Sequence, residues 1–189
     1  MTTLSTKPLA EIIVEGELSP FEHEALHRLL RKSFEVEPPS YVPFGYGEED
    51  LTTRINITLH HPYTPELFTQ LLRENWRELK VLIKEIRYRR GGAGAAVTFA
   101  FADENFRLVF RSGPLLDHDE LGSAMDQLGH LTGIIGRMVG RDATPEPFRI
   151  VECSFDKETD RWHIFRGTDN EGRIYLFDES TSRWNLTRN

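Results

Sequence analysis

Two short His- and Asp-rich stretches are the part of the sequence best suited to metal chemistry. His60 and His61 end one predicted strand, and Asp117 and His118 open a glycine-rich segment. Imidazole nitrogens and carboxylate oxygens are good ligands for transition metals, and sites often form at the ends of elements. If the fold brings the two stretches together, they would serve a metal-assisted hydrolase. The sequence has no spaced signature such as H-E-x-x-H, and an aspartate at a helix start is also a common cap.

Other reactive side chains give weaker indications. Cys153 shares a strand face with Val151 and Phe155, which predicts a core position rather than a nucleophile. His23 and His27 share one helix face, but their charged neighbours predict that this face is wet. There is no G-x-S-x-G motif and no nucleotide, iron–sulfur or haem motif, so we expect no cofactor.

The segment from His118 to Gly140 has the pattern of a helix with a row of glycines. These are Gly122, Gly129, Gly133, Gly136 and Gly140, spaced 7, 4, 3 and 4 residues apart. At roughly 100° per residue they share one stripe, and each costs a helix about 0.5–1 kcal/mol relative to Ala. Close approach of another backbone is the usual reason. We therefore expect a contact surface for a helix of this chain or of a second copy, or a ligand resting on bare backbone. His130 borders the row and would make such an interface sensitive to pH.

A second helix carries a stripe of basic residues. It comprises Arg73, Arg77, Lys80, Lys84 and Arg87, spaced 4, 3, 4 and 3. The stripe is either a solvated face whose stems cover the edge of the core, or a docking surface for an acidic partner or a phosphate-bearing polymer.

The loop over residues 35–51 is long for a compact domain and carries three aromatic residues. Tyr41, Phe44 and Tyr46 lie there among prolines and glycines. Long ordered loops are often functional. The aromatic residues either pin the loop to the core or form a lid over a small ligand.

Local patterns predict the elements that position these residues. Strands are expected over 10–18, 53–60, 95–102 and 106–112, and the first helix starts at Ser19 with a capping box to Glu22. Phe21, Ala25, Leu26, Leu29 and Leu30 form its predicted buried face. The second helix follows Thr64 and runs to about Arg89.

The C-terminal tail contains an internal repeat. FDKETDRW (155–162) and FDESTSRW (177–184) share F-D-x-x-T-x-R-W. In each copy the Phe precedes a turn and the Trp follows it, so the two can pair across a hairpin, while Asp and Thr bond the turn backbone. The tail is therefore predicted to be a four-strand meander over 148–155, 161–166, 173–178 and 183–187.

These patterns predict an α+β protein with a mixed sheet, two or three helices and the C-terminal antiparallel meander. Residues 1–113 form one β-α-β-α-β-β unit, and residues 114–189 either pack on the same core or stand apart. The net charge of −7 and the lack of a signal peptide favour a cytoplasmic protein without membrane or nucleic-acid binding. We expect a non-enzymatic interaction or regulatory subunit with a protein partner or a homo-oligomeric state. The alternatives are the metal-assisted hydrolase and a small-ligand sensor closed by the 35–51 loop.

Overall fold

The structure, a computed structural model, describes residues 7–38, 40–43, 52–139 and 147–187. These residues form ten strands and four α-helices. The strands are β1 (Leu9–Glu15), β2 (Glu35–Val36), β3 (Ser40–Val42), β4 (Thr53–Leu59), β5 (Ala95–Ala102), β6 (Arg107–Arg111), β7 (Phe148–Asp156), β8 (Arg161–Asp169), β9 (Ile174–Asp178) and β10 (Arg183–Leu186). The helices are α1 (Pro20–Arg31), α2 (Arg73–Arg90), α3 (His118–His130) and α4 (Thr132–Met138). A π-helical turn, Leu67–Leu72, leads into α2.

All ten strands belong to one mixed sheet in the order β10-β9-β8-β7-β6-β5-β4-β1-β2, with β3 also pairing to β1. The pairs β4–β5 and β6–β7 are parallel, so each needs a crossover, which α2 and the α3–α4 pair provide. Strands β7 to β10 pair antiparallel in sequence order. The predicted α+β class and the C-terminal meander are therefore confirmed.

The boundary expected at residue 113 lies between β6 and α3. Strand β6 pairs with β7 from Arg107–Ile150 to Arg111–Ser154. Strands from both parts of the chain therefore share one continuous sheet. Whether residues 114–189 are separable in solution stays a prediction.

The helices cover one face of this sheet. Every second side chain of β4 and β5 is buried beneath them, including Ile55, Ile57, Val97 and Phe99. Trp76 of α2 meets Phe99 with ring centroids 5.2 Å apart. The alternation of strand residues that predicted half-buried strands follows from this one-sided cover.

The two repeat copies form the hairpins that the sequence predicts. Phe155 pairs with Trp162, and Phe177 pairs with Trp184. Their ring centroids are 5.4 and 5.0 Å apart. The aspartate after each Phe accepts hydrogen bonds from the turn residues that follow it.

The single helix expected from His118 to Gly140 is instead two helices interrupted at Leu131. Trp162 Nε1 donates to a carbonyl of α3 at 2.8 Å, and Trp184 Nε1 donates to the Met138 carbonyl of α4 at 3.3 Å. Each helix is thus attached to a different hairpin of the meander. The helical spacing of residues 118–140 does not show that the two halves of the segment contact different hairpins.

The expected burial of α1 is wrong on two points. Phe21 is 64% exposed, whereas Glu22 and His27 are buried. The predicted capping box between Ser19 and Glu22 is present. Arg90, from the C-terminus of α2, also reaches Glu22 at 2.7 Å, so the end of α2 lies beside the start of α1.

Candidate functional site

The four candidate metal ligands have separate local partners. His60 Nε2 lies 2.5 Å from Glu11 Oε1. His61 Nδ1 lies 2.7 Å from the Pro62 carbonyl oxygen, and His118 Nδ1 lies 3.2 Å from Asp119 Oδ1. The Asp117 carboxylate caps α3, and the amide hydrogen bonds from Glu120 and Asp119 hold its pKa below the ordinary value.

The two stretches lie toward opposite ends of strand β5. His60 follows Leu59, which pairs with Phe101, whereas the Pro114 carbonyl lies against Gly94. Seven strand residues separate these points, or about 23 Å at 3.3 Å each. The structure therefore does not bring His60 and His61 to Asp117 and His118. Among the residues it describes, no group of three His, Cys, Asp or Glu side chains is placed to hold a metal ion.

The glycine row makes side-chain contacts within the chain. A Cβ at Gly122 would lie 2.9 Å from Lys84 Nζ, and one at Gly129 would lie 3.7 Å from the Phe68 ring. A Cβ at Gly133 would meet nothing within 4 Å among the described residues. Gly136 lies in α4, and Gly140 lies outside the described residues. Side chains, rather than a backbone, thus lie against the first two glycines. His130 is exposed.

The basic stripe of α2 divides into two parts. Lys80 pairs with Asp126 of α3, Lys84 lies against Gly122, and Arg87 Nε donates to the Leu116 carbonyl at 2.7 Å. Arg73 and Arg77 remain exposed. The two surfaces predicted from the sequence therefore face each other over much of their length.

The predicted lid residues fall mostly outside the described part of the chain. Phe44 and Tyr46 are not described, and only the backbone of Tyr41 is, in β3. Strand β3 pairs in parallel with β1, from Ile13–Ser40 to Glu15–Val42. The start of the 35–51 segment thus adds to the edge of the sheet.

The sheet surface opposite the helices, which we call the open face, was not predicted as a site. None of the four described helices packs on it. It forms a depression of about 690 Å³. Its side chains include Ile13, Glu15, Arg54, Asn56, Thr58, Ala96, Thr98, Ala100, Arg107, Val109, Arg111, Ile150, Glu152, Arg166 and Thr168. Four arginines and two glutamates in this set make the open face locally basic, although the whole chain carries a net charge of −7.

Small residues form the floor of the open face. Ala96, Thr98 and Ala100 are consecutive outward positions of the central strand β5. Because Ala100 has so short a side chain, Arg107 of β6 can reach across β5 and donate from Nη2 to Thr58 Oγ1 of β4 at 2.8 Å. The longer arginine side chains of the neighbouring strands thus surround the short side chains of β5.

Glu152 is the only buried carboxylate among the described open-face residues, and it holds two of the arginines. Arg111 donates from Nε and Nη2 to Glu152 Oε1 at 3.0 and 2.7 Å, and Arg166 Nε donates to Oε2. Burial alone would raise the pKa of Glu152, but the hydrogen bonds and charges of the two arginines outweigh it and lower that pKa. The carboxylate therefore stays ionised and fixes both guanidinium groups at the surface.

Apolar side chains extend the open face toward the C-terminal edge. Leu176 of β9 lies opposite Arg166 of β8, and Ile174 lies opposite Thr168. Leu176 is 43% exposed. The Arg166 guanidinium also lies 5.7 Å from the ring centroid of Phe165, which is itself exposed. Arginine beside exposed aromatic and aliphatic groups is a composition typical of protein interfaces.

Sequence reasoning missed the open face because its residues come from non-neighbouring strands. The alternation of polar side chains in RINIT and RLVFR shows which positions point outward. It does not show that β4, β5, β6 and β7 lie side by side, since two of these contacts depend on helical crossovers.

Within the described residues, no helix is long and apolar enough to span a membrane. Comparison with known proteins gives no family or function for the chain. No protein-family model, no curated protein and no solved structure matches the chain.

Proposed function

We propose that this chain is a non-enzymatic interaction protein whose open face binds an acidic, partly apolar segment of a partner protein. The observation that carries the proposal is the arginine set around Val109 and Ala100, on a sheet face that none of the described helices covers, in an acidic chain. Carboxylates of the partner would pair with guanidinium groups that Glu152 already holds in place. Such preorganisation lowers the entropic cost of binding.

The shape of the open face favours a protein segment over a small molecule. The open face crosses seven neighbouring strands, from β1 through β4, β5, β6, β7 and β8 to β9. At about 4.8 Å per strand spacing it is about 29 Å wide, which is longer than a small molecule and suits an extended protein segment. Exposed Leu176 and Phe165 beside Arg166 would provide apolar contacts at one end.

The proposal is tested with a short synthetic peptide in which Glu alternates with Leu, and with its counterpart in which Lys replaces Glu. Binding is measured by fluorescence anisotropy. The contact surface is mapped from methyl NMR signals of Ile13, Val109 and Ile150, with buried Leu79 as the internal reference. We expect the acidic peptide to bind and to shift the three open-face signals. The Lys peptide should not bind.

A matched pair of charge reversals tests whether the acidic peptide binds at the open face. Arg107→Glu changes an exposed arginine on the open face, and Arg77→Glu changes an exposed arginine on α2. The first should weaken binding at least about 10-fold, and the second by less than about 2-fold, since reversing a contacting charge costs more than 1.4 kcal/mol. Equal losses in the two variants, or methyl shifts confined to the helical face, would contradict the proposal.

A second contact surface is proposed on α4, where the sequence predicted an oligomer interface. Its support is that a Cβ at Gly133 meets no described atom within 4 Å and that the adjacent Ile134 is 47% exposed. Placing Leu at Gly133 should lower the molar mass in light scattering if a second copy lies there. An unchanged mass in a folded Gly133→Leu protein would count against this surface.

A further inference from the structure

A groove beside α1 has the dimensions of a small-molecule site. It measures about 720 Å³, within the usual range for such sites. Its apolar walls come from Leu18 and Pro20 before and within α1, and from Val36 and Pro38 at β2 and beyond. The groove lies on the helical side of the sheet, so it is separate from the open face.

His27 supplies the first polar group of the α1 groove. The side chain lines the groove and is only 8% exposed. Its Nε2 has no hydrogen-bond partner among the residues that the structure describes. A buried polar atom left unpaired costs about 1–3 kcal/mol. A ligand atom that pairs with this ring would recover part of that cost.

Cationic groups stand at the C-terminal end of the groove. Arg31 lines it one helical turn beyond His27, on the same face of α1. The Lys7 ammonium lies at the same end, where it donates to the Arg31 and Lys32 carbonyl oxygens at 2.8 and 3.1 Å. Glu24 also borders the groove, but it is exposed and seven residues before Arg31, about 10 Å along the helix axis. The positive end therefore favours an anionic head group.

We propose that the α1 groove binds a small carboxylic acid with an apolar body. The hydrocarbon part lies against Leu18, Val36 and Pro38. The carboxylate pairs with Arg31 and accepts a hydrogen bond from the neutral imidazole of His27. The Lys7 ammonium adds positive charge at the same end.

The experiment uses octanoate as the probe and 1-octanol as the uncharged comparator, both titrated into the full chain. Binding is followed by calorimetry and by ¹⁵N NMR of the imidazole nitrogens. We expect saturable octanoate binding with a shift of the His27 Nε2 signal, and binding of octanol at least about 5-fold weaker, since a paired charge adds about 1 kcal/mol. Absence of saturable octanoate binding at millimolar concentration, or equal affinity for octanol, would overturn the proposal.

Two variants test the polar contacts, one at the exposed Arg31 and one at the buried His27. Arg31→Gln should weaken octanoate binding at least about 5-fold, while Arg28→Gln, an exposed arginine outside the groove, should leave it unchanged. His27→Phe keeps the ring shape and removes the unpaired nitrogen. It should fold at least as stably as the parent chain yet bind octanoate more weakly. Equal octanoate affinity in Arg31→Gln and Arg28→Gln would exclude the α1 groove as the binding site.

Discussion

At the scale of single residues, Glu152 shows how one carboxylate can organise a surface. It is almost fully buried, yet both of its oxygens accept hydrogen bonds from arginines that are about half exposed. The arginines keep part of their hydration, so each arginine–Glu152 ion pair avoids much of the cost of burying two opposite charges. The ionised carboxylate is then more favourable than the neutral acid.

Replacing Glu152 with Gln is expected to destabilise the fold by about 1–2 kcal/mol at neutral pH, because two charge-assisted hydrogen bonds weaken. The folded-state pKa of Glu152 is below the ordinary 4.5, so its contribution is fully present above pH 4.5 and is lost as the pH falls through the folded value. Urea unfolding of both proteins between pH 7 and pH 3 measures this difference. Glu85→Gln, which removes an exposed carboxylate paired with Arg89, is the control and should change little. A difference between the parent and Glu152→Gln that does not vary with pH would contradict the assignment.

The buried His27 predicts a second dependence of the free energy of unfolding on pH. Burial lowers its pKa from 6.5, and the positive charges of Arg31 and His23 lower it further. Below pH 6.5 the unfolded chain therefore takes up a proton that the folded chain does not, so the free energy of unfolding falls as the pH falls. His27→Phe should flatten this slope between pH 7 and pH 5 in urea unfolding. Parallel slopes for the two proteins would show that His27 does not titrate in this range.

At the scale of elements, the features predicted correctly are those set by neighbouring residues. The capping box at Ser19 and the Phe–Trp pairs of the two hairpins depend on spacings of a few residues. The break at Leu131 was not predicted, and the helices on its two sides accept hydrogen bonds from Trp162 and Trp184 of different hairpins. Such contacts bring together residues tens of positions apart, and a helical pattern does not encode them.

The difference between local spacing and long-range contacts also explains what was predicted correctly, and what was not, for the glycines of the interface row. Gly122 and Gly129 share a helix face as predicted, but what lies on them comes from α2 and its preceding turn. The open face was missed for the same reason, since its floor and its arginines come from different strands. Sequence periodicity gives the orientation of a side chain, whereas the identity of its neighbour depends on the crossovers.

Substitution of two glycines by alanine should have opposite effects on stability. Gly94 has a φ of +76°, and a Cβ there would lie 2.4 Å from the Pro114 carbonyl oxygen, so Gly94→Ala should destabilise by more than about 2 kcal/mol. Gly133 lies in α4, and a Cβ there meets no described atom of the same chain within 4 Å, so Gly133→Ala should stabilise the monomeric chain by up to about 1 kcal/mol. Thermal unfolding of both variants measures the two shifts.

Gly92→Ala is the control for Gly94, because it lies two residues away and a Cβ there meets no described atom within 4 Å. It should be close to neutral. Destabilisation by Gly133→Ala would mean that another backbone rests on α4, as the glycine row suggested.

At the scale of the whole molecule, one sheet joins the two parts of the chain. The parallel pairing of β6 with β7 crosses the boundary at residue 113. Phe110 of β6 meets Trp162 of β8 at 5.1 Å between ring centroids. Unfolding either part alone would expose Leu108, Phe110, Val151 and Cys153, all buried along this junction. The cost of that exposure should couple the two parts.

Coupled parts should unfold in one transition, and the placement of the three tryptophans allows a direct test. Trp76 reports on the first part of the chain, and Trp162 and Trp184 report on the second. One variant carries Trp162→Phe and Trp184→Phe, and the other carries Trp76→Phe. Urea unfolding followed by fluorescence should give each variant the same midpoint as its own far-ultraviolet circular dichroism. A fluorescence transition for Trp76 that precedes or follows the loss of secondary structure would show that residues 114–189 unfold separately. The open face would then be a junction between two units rather than a single rigid surface, and its arginines would lose the fixed spacing on which binding of an acidic segment depends.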